Sequence, residues 1–206
     1  SNVQVMMEKP ELPDRKMWTE VLTTALDQVL YLAKMVNDLS TLSRAERGVA
    51  DAPEDIDIDE LVTKMHGAYQ KDAADRKLHL NLDMGPKLGK IHVSRLYVEE
   101  LLQNFITNAI KYTNEGTITI IVKQSKGIVR FAVKDTGIGI SRGDQAKIFN
   151  KFYRSEDYRI RETSGTGLGL YVSAKLSHKL GTKIVLKSRL NHGSEFSFEL
   201  PATDKS

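Results

Sequence analysis

The chain has no cysteine among its 206 residues. Disulfides and thiolate metal centres are therefore excluded, and the composition fits a reducing compartment. It holds five prolines and one tryptophan. No apolar run approaches the roughly 18 residues that a membrane-spanning helix needs. No secretory leader pattern is visible, and Ser1-Asn2 reads as a tag-cleavage scar. Net charge is small as well: 30 Lys and Arg against 27 Asp and Glu leave a formal +3. That argues against nucleic acid, whose binders concentrate a basic stripe. The five histidines, at 66, 79, 92, 178 and 192, are scattered, and each reads more readily as a surface or structural residue than as a ligand. No Walker A loop, no dinucleotide fingerprint, no eukaryotic-type kinase motif set and no H-E-x-x-H appears.

What remains is ordinary for a soluble globular protein: 40% hydrophobic and 28% charged residues. Residues 1–16 read as a lead-in. From Met17 to Arg47 neither proline nor glycine interrupts a run of helix formers. Leu22, Leu26, Val29, Ala33 and Val36 repeat at 4-3 spacing, widened by Leu32, Leu39 and Leu42. This predicts a long amphipathic helix with a seam suited to a bundle or coiled coil. An acidic, turn-rich stretch, Gly48–Asp59, then marks a boundary. We therefore divide the chain into 1–16, a helix over 17–50 and a domain over 51–202.

Within that domain the pattern predicts helices near Asp59–Asp75, Ser94–Thr113, Gly143–Phe149 and Gly167–Leu180. Strands are expected around Leu78–Leu82, Thr117–Lys123, Ile128–Lys134, Lys183–Ser188 and Glu195–Leu200, with shorter extended pieces at Ile56–Ile58 and Ile91–Val93. Such interleaving implies an α+β fold, a two-layer α/β sandwich with a mixed sheet. Tyr153–Ser164 is charged and patternless, as expected of a lid.

Two features carry chemistry. Asn104, Asn108 and Lys111 fall at i, i+4 and i+7, on one face of the Ser94–Thr113 helix, with Tyr112 beside them. An amide oxygen is a hard ligand for Mg²⁺, although a hydrogen-bonded asparagine pair tying loops down would give the same pattern. The second feature spans Val133–Leu170. Asp135 ends an apolar strand with the parity of its core-facing residues, where a carboxylate is costly unless bonded. Glycines at 137, 139, 165, 167 and 169 form two clusters around an IF…FYR segment. They allow close backbone approach and positive φ, and backbone N–H groups at a helix start favour anions. Together these point to an adenine-bearing phosphate ligand held between Asp135 and the GTGLGL turn.

The order of these motifs resembles one family. NFITNAIKYT is similar to the N box of bacterial sensor histidine kinases, DTGIGI and GTGLGL to their two glycine boxes, and IFNKFYR to their F box. GSEFSFELP is similar to their closing strand. The resemblance runs from about Asp55 to Pro201 and implies the Bergerat-type fold shared with DNA gyrase, MutL and a heat-shock chaperone. By position it implies ATP and Mg²⁺ as ligands. Asp135 would accept from the adenine amine, with Ser194 in support and Gly137 and Gly139 beside the ring. Asn108 would ligate Mg²⁺, with Asn104 and Lys111 near the phosphates and Tyr112 against the nucleotide. Arg154 would pair with terminal phosphate oxygens. Gly165, Thr166, Gly167, Leu168, Gly169 and Leu170 would form the phosphate turn, while Phe149 and Phe152 anchor the lid. Glu100, one turn before Asn104, is a weaker candidate for assisting proton transfer.

VLYLAKMVNDLSTLSRAERG is similar to the second helix of the family's dimerisation and phosphoacceptor domain. The first helix of that domain should carry a histidine followed by an acidic residue and, shortly after, a proline. No histidine here has that context. The resemblance thus implies a kinase catalytic domain whose acceptor histidine is not in this chain. Its expected partners are that histidine, a response regulator receiver domain and a second copy in the intact protein, with no nucleic acid and no membrane contact by this chain. The expected compartment is cytoplasmic, beneath a membrane anchor in the intact protein. Two competitors stand beside it: an ATPase of the same superfamily, and a regulatory module that binds nucleotide without transfer.

Overall fold

Strand alternation builds the sheet. In β4 (Thr117–Ser125) Ile118, Ile120 and Val122 are fully buried, and in β5 (Ile128–Asp135) Val129, Phe131 and Val133 are buried. One face of each strand therefore belongs to the core. The computed structural model describes residues 15–47, 52–161 and 165–203. In chain order the remaining elements are α1 (Arg15–Arg47), β1 (Glu54–Asp57), α2 (Ile58–Asp75), β2 (His79–Met84), β3 (Lys90–Val93) and α3 (Arg95–Tyr112). After β5 come α4 (Arg142–Gln145), α5 (Tyr158–Arg161), α6 (Gly169–Lys179), β6 (Val185–Ser188) and β7 (Ser194–Pro201).

Five strands form one mixed sheet in the order β2-β4-β5-β7-β6. β2 lies parallel to β4 and every other neighbour is antiparallel. β1 and β3 make a separate antiparallel pair. The helices α2, α3 and α6 form the second layer, α3 packing on β4, β5, α2 and α6. Phe105 of α3 reaches the sheet, its ring 5.3 Å from Phe196 and 6.2 Å from Phe198, and Phe198 stacks on Phe131 at 5.1 Å. The expected apolar face of α3, Leu102, Phe105, Ile106 and Ala109, is buried throughout. The α+β sandwich read from the sequence is the fold observed.

Local chemistry sets several boundaries. Asp57 caps α2 by accepting from the Glu60 N–H at 3.0 Å, as N-cap carboxylates do. Gly116, with φ +114°, turns the chain after α3. The expected helix over Gly143–Phe149 is shorter, Arg142–Gln145, followed by turns. It starts on a capping arrangement in which the Ser141 hydroxyl accepts from the Asp144 N–H at 3.2 Å. The expected patternless lid contains one short helix, α5; residues 162–164 of it lie outside the described residues, as do most of the 1–16 lead-in and residues 48–51 of the Gly48–Asp59 boundary.

α1 has two faces. Leu22, Leu26, Val29, Leu32 and Val36 are exposed, Leu26 at 58%. The opposite side packs on α6, burying Asp38, Thr41 and Leu42. Among the described residues no helix is long and apolar enough to cross a membrane.

Candidate nucleotide-binding site

A cavity of about 520 Å³ opens between α3, the β5–α4 loop, the lid, the turn before α6 and one face of α1. That volume suits a nucleotide-sized ligand. Of the residues singled out in the sequence, Asn104, Asn108, Lys111, Tyr112, Asp135, Gly139, Arg154, Gly165, Thr166, Gly167, Gly169, Leu170 and Ser194 line it.

Its floor is Asp135. The carboxylate is 8% exposed, and Oδ1 accepts from the Gly137 N–H at 2.8 Å and the Ser194 N–H at 3.2 Å. Burial pushes this carboxyl above its usual range, and the two N–H bonds hold it partly down. Gly137 is not itself a wall of the cavity. A Cβ there would come within 2.9 Å of Asp135 Oδ1 and 2.8 Å of Thr113 Oγ1, so only glycine lets its amide reach the carboxylate. Gly139 has φ +64°, and a Cβ on it would overlap the Arg189 carbonyl. Of the five glycines expected to allow positive φ, only Gly139 and Gly167 adopt it. Ser194 shares its hydroxyl with Ser188 at 3.0 Å, and Ser188 Oγ also accepts from the Ile140 N–H at 2.8 Å. Ile138, Ile140, Ile148, Leu190 and Phe196 add apolar walls.

At the other end the two asparagines divide their work. Asn104 is 3% exposed, and its Nδ2 donates to Ser173 Oγ at 3.2 Å and to the Gly169 carbonyl at 3.4 Å. It fixes the start of α6 against α3. Asn108, one turn on, lines the cavity. Lys111 lies over the Tyr112 ring at 4.7 Å, with its ammonium against the backbone of Gly165.

Three expectations are corrected. Leu168 is fully buried and its N–H goes to Thr166 Oγ1 at 3.2 Å, so it serves the turn's shape and is not a donor to the cavity. Phe152 is 55% exposed; its backbone N–H, donating to the Gly167 carbonyl at 3.0 Å, makes the tie expected of its ring. Phe149 does pack inward, edge-on to Phe196 at 6.5 Å. Glu100 does not line the cavity: it lies close to Lys34 and Asp38 of α1, and burial raises its pKa.

Sequence reading missed two groups. Asp144 Oδ1 accepts from Tyr153 OH at 2.6 Å, and its Oδ2 from Ser155 and Ser141, each at 2.8 Å. The Tyr153 hydroxyl, helped by the two serines, lowers the Asp144 pKa. This carboxylate ties the lid's first residues to α4; the Ser141-x-x-Asp144 capping pattern was the available signal. Beyond that root, Arg154 donates to the Ile160 carbonyl at 2.7 Å, and Arg159 reaches Asn191 at 2.9 Å. The second group, Asp27, Leu30, Tyr31 and Lys34 of α1, lines the cavity from a helix far from the glycine motifs in sequence, which no periodicity could announce.

Residues 94–204 match the histidine kinase-, DNA gyrase B- and HSP90-like ATPase family, and the chain belongs to it. Drug sensory protein A of Synechocystis sp. is 32% identical over 192 residues, covering 88% of this chain and 29% of that protein. The sensor-like histidine kinase ycf26 of Pyropia yezoensis is 30% identical, covering 97% of this chain and 33% of its own length. The chain thus spans about a third of these curated relatives. Among solved structures, full-length ShkA in complex with AMPPNP superposes with a TM-score of 0.77 at 25% identity, over 100% of this chain and 43% of that one. ThkA in complex with the response regulator protein TrrA gives 0.72 at 21% identity, over 98% and 55%, a likeness of fold. The curated relatives named here are a drug sensory protein and a sensor-like histidine kinase.

Proposed function

We propose that this chain binds Mg-ATP and offers the γ-phosphoryl group to a histidine on a helix it does not carry, the intact kinase then serving a response regulator. The observation that carries the reading is the geometry of Asp135. Its carboxylate is fixed by two backbone N–H groups at the floor of an apolar cavity, with Oδ2 left to accept an exocyclic amine. The glycine turn, Lys111 and Arg154 lie further along the cavity, suited to a polyphosphate. Asn108 would hold Mg²⁺ together with phosphate oxygens; its amide has no partner among the described residues, as an open ligand position requires. The ion would neutralise charge on the transferred group, and the chain's own residues would position it.

Hydrolysis is disfavoured. The resemblance implies that hydrolases of the superfamily place a glutamate one turn before the magnesium ligand, and here that place holds Asn104, whose amide is committed to α6. Glu100 is turned toward α1. The exposed apolar seam of α1 would be covered by a bundle partner in the intact dimer.

The test is calorimetry with ADP and a nonhydrolysable ATP analogue, with and without Mg²⁺, followed by incubation with γ-labelled ATP. Nucleotide should bind, Asn108→Ala should remove mainly the Mg²⁺-dependent part, and no stoichiometric acid-labile label should appear until a domain bearing an acceptor helix is added. Label on this chain alone would overturn the assignment and direct attention to His66 and His178.

A further inference from the structure

The cavity is not closed by the catalytic domain alone. Asp27, Leu30, Tyr31, Lys34 and Asp38 share one face of α1, and the first four line the cavity. Asp38 is 2% exposed; its Oδ2 accepts from Thr166 Oγ1 at 3.2 Å, and its Oδ1 lies 3.6 Å from Lys34 Nζ. Thr166 belongs to the glycine turn and also receives the Leu168 N–H. A buried carboxylate of α1 is therefore bonded to the turn that shapes the polyphosphate end. One turn back, Lys34 lines the same cavity, beside that carboxylate. The Lys34 side chain is 47% exposed, so it is held toward the site by charge and not by packing. Asp38 attracts it, and Glu100 on α3 adds a second carboxylate within electrostatic reach.

We propose that Lys34 is a nucleotide-binding residue, a cationic contact for the terminal phosphate supplied by α1, so that α1 docking and triphosphate binding reinforce each other. The inference rests on the Mg-ATP reading above and adds to it a specificity element for triphosphate over diphosphate. Lysine suits the task because its flexible stem lets the ammonium leave one carboxylate for a phosphate oxygen without moving the helix. Asp38 keeps its Thr166 bond meanwhile, so α1 stays registered on the turn. Thermodynamic reciprocity then requires that a ligand held partly by Lys34 should tighten α1 on the domain.

The test compares wild type, Lys34→Met and Lys34→Arg in calorimetry with a nonhydrolysable ATP analogue and with ADP. Amide hydrogen exchange on Asp27–Leu42 is measured in parallel. A partly exposed phosphate–ammonium contact should make Lys34→Met about five- to tenfold weaker for the triphosphate and under about twofold weaker for ADP. Lys34→Arg should restore most of the loss. In wild type the triphosphate should slow exchange on α1 more than ADP does, and Lys34→Met should erase that difference. Equal losses for both nucleotides, or none, would overturn the inference while leaving the nucleotide reading intact. A wild-type chain that binds neither nucleotide would overturn both.

Discussion

Replacing Asp135 by asparagine should separate ligand affinity from fold stability. The two N–H groups of Gly137 and Ser194 converge on a single oxygen, at 2.8 and 3.2 Å. An asparagine can present its carbonyl oxygen there and keep both bonds. Its amide NH₂ must then take the place of Oδ2 and face the cavity. A donor would meet the donor amine of adenine, and a charge-assisted acceptor would be lost. Such bonds contribute about 1.5–3 kcal/mol, so affinity for ADP should fall roughly 10- to 100-fold, before any added cost of opposing donors. Stability should change little, by under about 1 kcal/mol, because no buried N–H is orphaned and a desolvated charge is removed. The pH dependence has a definite sign. The Asp135 pKa is raised from 3.8 by burial. Its contribution to stability is therefore fully present below 3.8 and lost as pH rises through the raised folded value. Ligand affinity runs the other way, falling as the carboxylate protonates at a pH above 3.8. The asparagine variant should show neither dependence from this group. Calorimetry and thermal melting from pH 4 to 8, set beside those of wild type, measure both. Affinity within twofold of wild type would remove Asp135 from recognition. A loss of more than about 2 kcal/mol in stability would mean that the two N–H bonds need the charge.

Gly139→Ala should destabilise the chain by about 2–4 kcal/mol, since positive φ and overlap with the Arg189 carbonyl act together; denaturant melts without ligand give the value. Phe105→Ala should cost about 3–5 kcal/mol by opening a cavity between α3 and the sheet, where its ring meets Phe196 and Phe198, read from the same melts. Tyr153→Phe should loosen the lid by releasing one of the three hydroxyls on Asp144. Tryptic cleavage at Arg159 should then quicken without nucleotide and slow on adding an ATP analogue, whereas wild-type cleavage unchanged by nucleotide would show a lid indifferent to the ligand.

Period-2 strands with strict parity placed Asp135 on the core side of β5, where it lies. The i, i+4, i+7 spacing brought Asn108 and Lys111 to the cavity, because a helix converts spacing into a shared face. The same rule could not distinguish Asn104 from Asn108. That difference comes from Ser173 on α6, 69 positions away, and packing between distant helices leaves no local period. Glu100 failed for a related reason: a carboxylate one turn from Asn104 looked aligned with it, but the neighbouring α1 draws it aside. Phe152 shows a third limit, since an aromatic side chain suggests packing while its backbone N–H makes the tie. The docking of α1 was invisible because Tyr31 and Lys34 lie outside the apolar seam that the pattern emphasised.

Asp135 and Ser194 stand 59 positions apart yet share a hydrogen bond, and beside them Lys134 pairs with Glu195 across β5 and β7. Everything between, from the lid to α6 and β6, is an excursion whose two ends are pinned by strand register. Closing such a loop costs free energy only logarithmically in its length, about 0.6 kcal/mol per doubling for a flexible chain. Insertions or deletions in the exposed part of the lid should thus be tolerated while the base-recognising corner stays fixed. Relatives can diverge in lid length, and with it in the rate of ligand exchange, without redesigning the sheet.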